Sequence, residues 1–159
     1  MLQFNAAGLL APPLIINSTV DELEDKFAID SPGNIRKLLF ANYLDYNQKL
    51  KETCGNIKLK QWVDGSFVTL KEKPKDIDIV SFIDFMVMVE SEKELKNLRY
   101  PLSKANYGLD CYFIIEYPEA HRLKYSYTAD VAYWMNQFGR TKPTSRQKSM
   151  VKGFLEIII

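Results

Sequence analysis

Residues 61–79 read QWVDGSFVTLKEKPKDIDI, and this stretch predicts the end of one strand, a tight turn, a loop and the start of a second strand. Side chains over residues 57–64 alternate in polarity, as they do in a β-strand, and Gly65 ends the pattern. Residues 67–75 predict a short helical turn and a loop. The apolar run at 77–89, rich in β-branched and aromatic side chains, predicts the central strand of a sheet.

Two carboxylates stand at the start of the second strand, in Asp76-Ile77-Asp78-Ile79. Side chains two residues apart on a strand point to the same face, so Asp76 and Asp78 are expected to lie side by side. Ile77 and Ile79 then enter the core on the other face. Neighbouring carboxylates repel unless a cation binds, and Mg²⁺ prefers such hard oxygen ligands. The alternative is that Asp-x-Asp is only a turn cap.

The glycine turn and a third acidic residue extend this constellation. Gly65 allows backbone amides to approach a phosphate closely, and the Ser66 hydroxyl can donate a further hydrogen bond to it. Asp110 begins a later predicted strand and completes a three-carboxylate cluster if that strand pairs beside the strand of Asp78. Asp84 shares the parity of Asp78, but six residues along a strand span about 20 Å, which is too far for one cluster.

This pattern resembles the signature of the polymerase-beta-like nucleotidyltransferase superfamily. It consists of a Gly-Ser pair, an Asp-x-Asp pair after nine intervening residues, and a later apolar-Asp-apolar strand. The glycine-serine motif, the acidic pair and the third acidic residue of that superfamily correspond to Gly65, Ser66, Asp76, Asp78 and Asp110. The resemblance implies two-metal chemistry with Mg²⁺ or Mn²⁺, in which Asp76 and Asp78 bind both ions and Asp110 binds the catalytic one. It also implies a nucleoside triphosphate as substrate, with pyrophosphate leaving.

A narrower resemblance, to a group of small prokaryotic proteins of that superfamily, covers most of the chain and includes residues 62–69 and parts of 133–140. The chain departs from the superfamily pattern after Ser66, where minimal relatives often carry an arginine and a glycine. Three lysines in the following loop are candidates to supply positive charge instead, with Lys75 assigned to the triphosphate: Lys71, Lys73 and Lys75.

The expected activity is transfer of a nucleoside monophosphate from a triphosphate onto a hydroxyl of a protein or RNA. The narrower resemblance suggests a stress, phage-defence or toxin–antitoxin setting. One alternative is a catalytically silent protein of the same fold that serves as a binding or antitoxin-like module, and another is metal-dependent hydrolysis of nucleic acid. Because the chain has little length left for a helical companion domain, a second copy or a partner protein is expected to complete the site.

The remaining pattern predicts one α/β domain over residues 1–159, with a mixed sheet flanked by helices. An N-terminal arm and a short helix capped by Thr19 occupy 1–33, and the core occupies 34–159. In the core, helices are expected at 34–53, 91–98 and 128–138. One further strand is expected at 109–115. Asn34 is the expected cap of the first of these helices. The apolar end, Ile157 to Ile159, predicts a strand or a segment tucked into the core.

Composition limits the remaining function classes. With 21 Lys and Arg against 20 Asp and Glu, the net charge is +1, so no global field attracts nucleic acid or an anionic membrane. A phosphate-bearing partner therefore requires a local patch. The segment 139–152 is a candidate for a phosphate or RNA contact, although a charged surface loop is the simpler interpretation; its cations are Arg140, Lys142, Arg146, Lys148 and Lys152.

Two cysteines and one histidine restrict the chemistry further. Cys54 and Cys111 have neither zinc-site nor redox spacing, and we expect them to be small core residues. His121 is the single histidine, and nothing nearby in sequence pairs it with a nucleophile. No segment reaches the roughly 20 apolar residues that a membrane helix needs. These observations favour a soluble protein in the reducing cytoplasm.

Overall fold

The computed structural model describes residues 2–143, 145 and 148–159. They form a five-stranded mixed sheet, a two-stranded ribbon and six α-helices, which confirms the predicted α/β class. The strands are β1 (Gln3–Phe4), β2 (Leu10–Ala11), β3 (Ile15–Ser18), β4 (Lys60–Asp64), β5 (Asp78–Asp84), β6 (Asp110–Glu116) and β7 (Phe154–Ile158). The helices are α1 (Val20–Phe27), α2 (Ile35–Thr53), α3 (Phe85–Glu90), α4 (Glu92–Asn97), α5 (Leu102–Tyr107) and α6 (Lys124–Phe138).

The large sheet has the strand order β3-β7-β4-β5-β6. Strands β5 and β6 run parallel, as do β3 and β7, whereas β4 is antiparallel to both of its neighbours. The C-terminal strand β7 thus lies inside the sheet, between β3 and β4. The predicted strand at the apolar end is thus present, with Ile157 buried and Ile158 56% exposed.

The first two long helices follow the predicted pattern except at one cap. Thr19 caps α1, with its Oγ1 accepting a hydrogen bond from the Glu22 amide at 3.1 Å, as predicted. The prediction that Asn34 caps α2 is wrong, because Asn34 is left-handed (φ 52°) and its side chain makes no capping bond. The hydroxyl of Ser31 instead accepts a hydrogen bond from the Arg36 amide at 3.2 Å.

The predicted strand over 77–89 is wrong beyond Asp84. The Asp84 carboxylate accepts a hydrogen bond from the Met86 amide at 2.7 Å, so it caps a helix and turns the apolar run from β5 into α3. The predicted helical turn within 67–75 is a set of turns and bends without a helix. Helix α5 was not predicted from the sequence, and Gly108, with φ 72°, ends it.

The two faces of the large sheet carry separate apolar clusters. Helix α2 covers one face and contributes Tyr43, Tyr46 and Leu50 to the larger cluster. On the other face, Trp62 and Val80 pack in a smaller cluster to which α6 contributes. Alternation along β4, β5 and β6 places the aspartates that begin or end these strands on this second face. The site considered below therefore lies at one end of the face that α6 covers.

Within the described residues, no helix is both long and apolar enough to cross a membrane.

Candidate functional site

Three aspartates form a row across neighbouring strands. Asp78 of β5 is the direct cross-strand partner of Asp110 of β6, and Asp64, the last residue of β4, is the partner of Asp78 on its other side. The parallel pairing that the three-carboxylate cluster required is therefore present. Asp64 was not predicted as a site residue. Its position directly before Gly65, at the end of a strand, was the available signal.

Gly65, directly after β4, lies against the carboxylate of Asp78. Its φ is +88°, and a Cβ added to it would lie 2.2 Å from Oδ2 of Asp78. Real Cβ atoms do not approach other atoms so closely, so only glycine fits while the carboxylate keeps this position. Gly65 is thus needed for the backbone turn and for the placement of Asp78.

One lysine bridges the other two predicted ligands. Nζ of Lys104, on α5, lies 2.5 Å from Oδ2 of Asp76 and 3.0 Å from Oδ1 of Asp110. Burial lowers the pKa of Lys104, but its hydrogen bond to Asp76 and its charge interactions with both carboxylates raise it by more, so the pKa lies above its ordinary value. Lys104 is therefore an ammonium ion between two carboxylates. The sequence did not indicate this pairing because α5 was not predicted.

The contact between Lys104 and Asp110 is an ion pair with poor hydrogen-bond geometry. Oδ1 of Asp110 is shielded from solvent and accepts no hydrogen bond from the described residues, although the ammonium lies within 4 Å. A buried carboxylate oxygen normally accepts a hydrogen bond or binds a cation. This oxygen of Asp110 is thus compensated by the charge of Lys104 and not by a hydrogen bond.

Asp78 stands between these charges, and no described residue is its partner. Among the described residues it makes no ion pair and its side chain accepts no hydrogen bond. Burial, followed by the negative charge of Asp76, raises the pKa of Asp78 to about 6. An ionised Asp78 is therefore costly at neutral pH, and a bound cation would relieve that cost.

Asp64, by contrast, is fully paired. Its Oδ1 contacts Nζ of Lys152, the side chains are 7% and 6% exposed, and the hydrogen bond is a short one. Burial raises the pKa of Asp64 to about 7 even though Lys152 opposes the shift. The pair joins the end of β4 to the residues that precede β7. Asp64 is thereby held by a lysine and is not free to ligate a metal in this conformation.

The loop between Gly65 and Asp76 is fixed from behind by a buried arginine. The guanidinium of Arg36, on α2, donates to the carbonyl oxygens of Phe67 (2.7 Å), Thr69 (2.7 Å) and Lys71 (2.5 Å). One buried cation thus binds three backbone carbonyls of this loop. Arg36 therefore sets the path of the loop that connects the glycine turn to the acidic pair.

The other predicted site residues have less defined surroundings. Ser66 is half-buried in the turn after β4, and Lys75 is exposed one residue before Asp76. His121 lies in the loop before α6, where it stacks on Tyr117, and both cysteines are buried, as expected. Arg146 of the basic segment lies outside the described residues.

The cluster fits a divalent cation in composition but not in its present arrangement. In the described part of the chain, no group of three or more His, Cys, Asp or Glu side chains is placed to hold a metal ion. In the present contacts Lys104 is paired with Asp76 and Asp110, and Lys152 is paired with Asp64. Metal ligation would require Lys104 to move, and its side chain is 38% exposed.

The sequence was compared with known protein families, and one family matches nearly the whole chain. Residues 2–158 match the sequence pattern of DUF6932, a family of unknown function. The chain belongs to the DUF6932 family. The match covers the row of aspartates, the glycine turn and both lysines that face them. No curated protein and no solved structure matches the chain. Membership in the DUF6932 family therefore identifies relatives of the whole fold and assigns no activity.

Proposed function

We propose that this protein is a nucleotidyltransferase-like enzyme that moves a nucleoside monophosphate from a triphosphate to a protein or RNA hydroxyl. The observation that carries the proposal is the cross-strand pairing of Asp78 with Asp110 beside the Gly65 turn. Asp76 completes the acidic group that the superfamily resemblance requires. The resemblance rests on motif residues and their spacing, so the convergence of these residues on one end of the sheet supports it.

The chain's own residues have distinct parts in this activity. Asp76, Asp78 and Asp110 would hold Mg²⁺ or Mn²⁺, which would supply Lewis-acid stabilisation of the displaced phosphate. The turn at Gly65 and Ser66 presents backbone amides and a hydroxyl to the triphosphate. A cation at Asp78 would also compensate the charge that burial now disfavours.

A catalytically silent binding module is the second candidate, and Lys104 favours it. Its ammonium already neutralises Asp76 and Asp110, which lie 2.5 and 3.0 Å away. A protein that had lost metal binding would gain from such a substitute cation. The two candidates differ in whether Lys104 moves away from Asp76 and Asp110 when a divalent cation and a nucleotide are supplied.

Ligand-dependent stabilisation separates the two candidates. A ligand that binds the folded state raises its melting temperature, so Mg²⁺ with one of the four nucleoside triphosphates is expected to raise it for the wild type. The variant with both Asp76→Asn and Asp78→Asn should lose the increase, whereas Asp45→Asn, at an exposed position of α2, should keep it. No increase with any triphosphate, in Mg²⁺ or Mn²⁺, would reject the enzyme in favour of the silent module.

The acceptor and the setting belong to the same proposal. Labelled triphosphate incubated with a cell extract is expected to mark a protein or RNA, and cleavage of nucleic acid without triphosphate would indicate a nuclease instead. Two surface clefts, of about 210 and 350 Å³, are lined by none of the site aspartates. We therefore propose that a second copy or a partner protein completes the pocket that holds the nucleotide base. The proposed setting is a cytoplasmic toxin–antitoxin or phage-defence system.

A further inference from the structure

The ammonium of Lys104 stands where two of the predicted metal ligands meet. Its Nζ lies 2.5 Å from Oδ2 of Asp76 and 3.0 Å from Oδ1 of Asp110, and Asp110 pairs across the strands with Asp78. A Mg²⁺ ion bound by carboxylates lies about 2.1 Å from their oxygens. An ion bound to both Asp76 and Asp110 would therefore compete with this ammonium for the same two side chains.

The backbone of Lys104 is fixed beside the site, whereas its side chain is free to turn. The hydroxyl of Ser103, the preceding residue of α5, donates to the Leu109 carbonyl at 2.9 Å and accepts from the Cys111 amide at 3.2 Å. These hydrogen bonds tie α5 to the start of β6, where Asp110 lies. The Lys104 side chain is 38% exposed. An ammonium displaced from the carboxylates can thus turn toward solvent, but it remains tethered next to Asp110.

Two other lysines lie near these aspartates in structure or in sequence, and neither combines contact with freedom to move. Lys152 contacts Asp64, but its side chain is only 6% exposed and the pair is buried. Lys75 is exposed and precedes Asp76 in the chain, but no contact within the described residues holds its side chain at the site. Lys104 alone among the three is held by the predicted metal ligands and has room to leave them.

We propose that Lys104 is an exchangeable counter-ion, which a divalent cation displaces from Asp76 and Asp110 and which then binds the phosphate chain of the nucleotide. The inference rests on the proposed function and assigns to Lys104 the phosphate contact that the sequence predicted for Lys75. Mg²⁺ in proteins keeps coordination positions for substrate phosphate, so phosphate oxygens on the ion lie close to the carboxylates that Lys104 has left. An ammonium ion is a strong hydrogen-bond donor to phosphate.

The exchange couples the two ligands of the site. Without phosphate, metal binding costs the ion pairs of Lys104 with Asp76 and Asp110. With phosphate present, the displaced ammonium gains a new partner, so phosphate strengthens metal binding and metal strengthens phosphate binding to the same extent. Lys104 thus opposes binding of the metal alone and favours binding of the metal together with a polyphosphate.

Removal of the charge at position 104 tests the exchange, because the affinities for the two ligands should change in opposite directions. Lys104→Gln lacks the competing cation, so its affinity for Mg²⁺ alone, measured by calorimetry, is expected to rise about tenfold or more. At a Mg²⁺ concentration that saturates both proteins, its affinity for inorganic tripolyphosphate is expected to fall about tenfold, since a charged hydrogen bond is lost. Lys93→Gln, at an exposed position of α4, should change neither affinity.

Chemical labelling of the wild type gives a second measurement, which decides the matter even if Lys104→Gln does not fold by circular dichroism. Amines are acetylated with acetic anhydride, and the modified fraction at Lys104 is read by peptide mass spectrometry. Mg²⁺ alone should increase this fraction severalfold, because the amine leaves its two carboxylates for solvent. Tripolyphosphate added with excess Mg²⁺ should lower it again, while the labelling of Lys93 stays constant. Equal labelling of Lys104 under all conditions would overturn the exchange.

The outcomes separate this inference from the proposed function. If Mg²⁺ with a nucleoside triphosphate binds the wild type, but Lys104→Gln binds Mg²⁺ and tripolyphosphate with unchanged affinity, the exchange is wrong and the enzyme proposal stands. Opposite shifts in the two affinities without any binding of nucleoside triphosphate would support the exchange and reject nucleotidyl transfer. A fall in both affinities would assign Lys104 a structural role only. A larger loss of tripolyphosphate binding in Lys75→Gln than in Lys104→Gln would return the phosphate contact to Lys75.

Discussion

At the scale of single residues, Gly65 is the position where backbone conformation and site geometry coincide. A β-carbon there would lie 2.2 Å from Oδ2 of Asp78, and the φ of +88° is unfavourable for any other residue. Gly65→Ala is therefore expected to destabilise the fold by about 2 kcal/mol or more, from the left-handed backbone and the steric contact together. Chemical denaturation measures the free energy of unfolding.

Gly55 supplies a matched control for this prediction. Its φ is +74°, but an added Cβ would meet nothing within 4 Å. Gly55→Ala should therefore show the conformational cost alone and leave Mg²⁺-triphosphate binding unchanged, while Gly65→Ala reduces that binding as well. Equal losses of stability and unchanged ligand binding in the two variants would contradict the steric role of Gly65.

Asp78 gives a prediction about pH. Its folded-state pKa is raised to about 6, above the ordinary value of 3.8 that applies to the unfolded chain, so the folded state holds the proton more tightly. Stability contributed by protonated Asp78 is thus present below about pH 4 and is lost as the pH rises toward 6. Asp78→Asn removes this loss and is expected to stabilise the protein at pH 7.5 by about 1–3 kcal/mol.

Denaturation curves between pH 4 and 8, recorded without divalent cation, check this expectation. Asp45→Asn is the control, since Asp45 is exposed on α2. Added Mg²⁺ should stabilise the wild type and not Asp78→Asn, because only the wild type has the buried charge for the cation to compensate. If Asp78→Asn destabilises the protein at pH 7.5, Asp78 has a structural partner and the unpaired state inferred here is wrong.

At the scale of helices and strands, the sequence predicted an element correctly where one strong local signal was present. The period of α2 and the cap at Thr19 were predictable from the sequence. The end of β5 was not, because the apolar run continues through Asp84 and only the capping bond to the Met86 amide shows where the strand stops. The pairing of Asp110 beside Asp78 also required tertiary structure.

The predictable part of the site was the set of acids on the strands, and the missing part was their counter-ions. Strand parity and turn chemistry indicated Asp76, Asp78 and Gly65, whereas the position of Asp110 beside them depended on which strands pair. Lys104 lies on α5, a helix of six residues without a distinctive sequence signal, and its pairing with Asp76 spans 28 positions. Contacts of this kind depend on how elements pack, which composition and periodicity do not specify.

Arg36 connects helix α2 to the loop before β5 and provides a prediction at this scale. It is 3% exposed and donates to carbonyls across the loop, so Arg36→Met would leave several buried acceptors without partners. We expect a loss of about 3 kcal/mol or more in the free energy of unfolding. Hydrogen exchange should also become faster over residues 65–77. Lys37→Met, which breaks only an exposed ion pair with Asp30, is the control and should cost less than about 1 kcal/mol.

At the scale of the whole molecule, the last strand connects the two ends of the chain. In β7, Ile157 pairs with Ser18 of β3 on one side and with Gln61 of β4 on the other. Strand β3 therefore joins the large sheet through β7. Strand β7 thus closes the sheet between β3 and the strands β4, β5 and β6, which pair directly with one another.

Two adjacent isoleucines test this closure. Ile157 is fully buried, whereas Ile158 is 56% exposed, although both belong to β7. Ile157→Ala is expected to destabilise the protein by about 2–5 kcal/mol, since it leaves a cavity in the core, and Ile158→Ala by less than about 1 kcal/mol. If β7 closes the sheet, the Ile157→Ala protein should still unfold in one cooperative transition when followed by tryptophan fluorescence and by far-ultraviolet circular dichroism. Separate transitions for the two signals would show instead that β3 and β7 form a unit that unfolds independently of β4, β5 and β6.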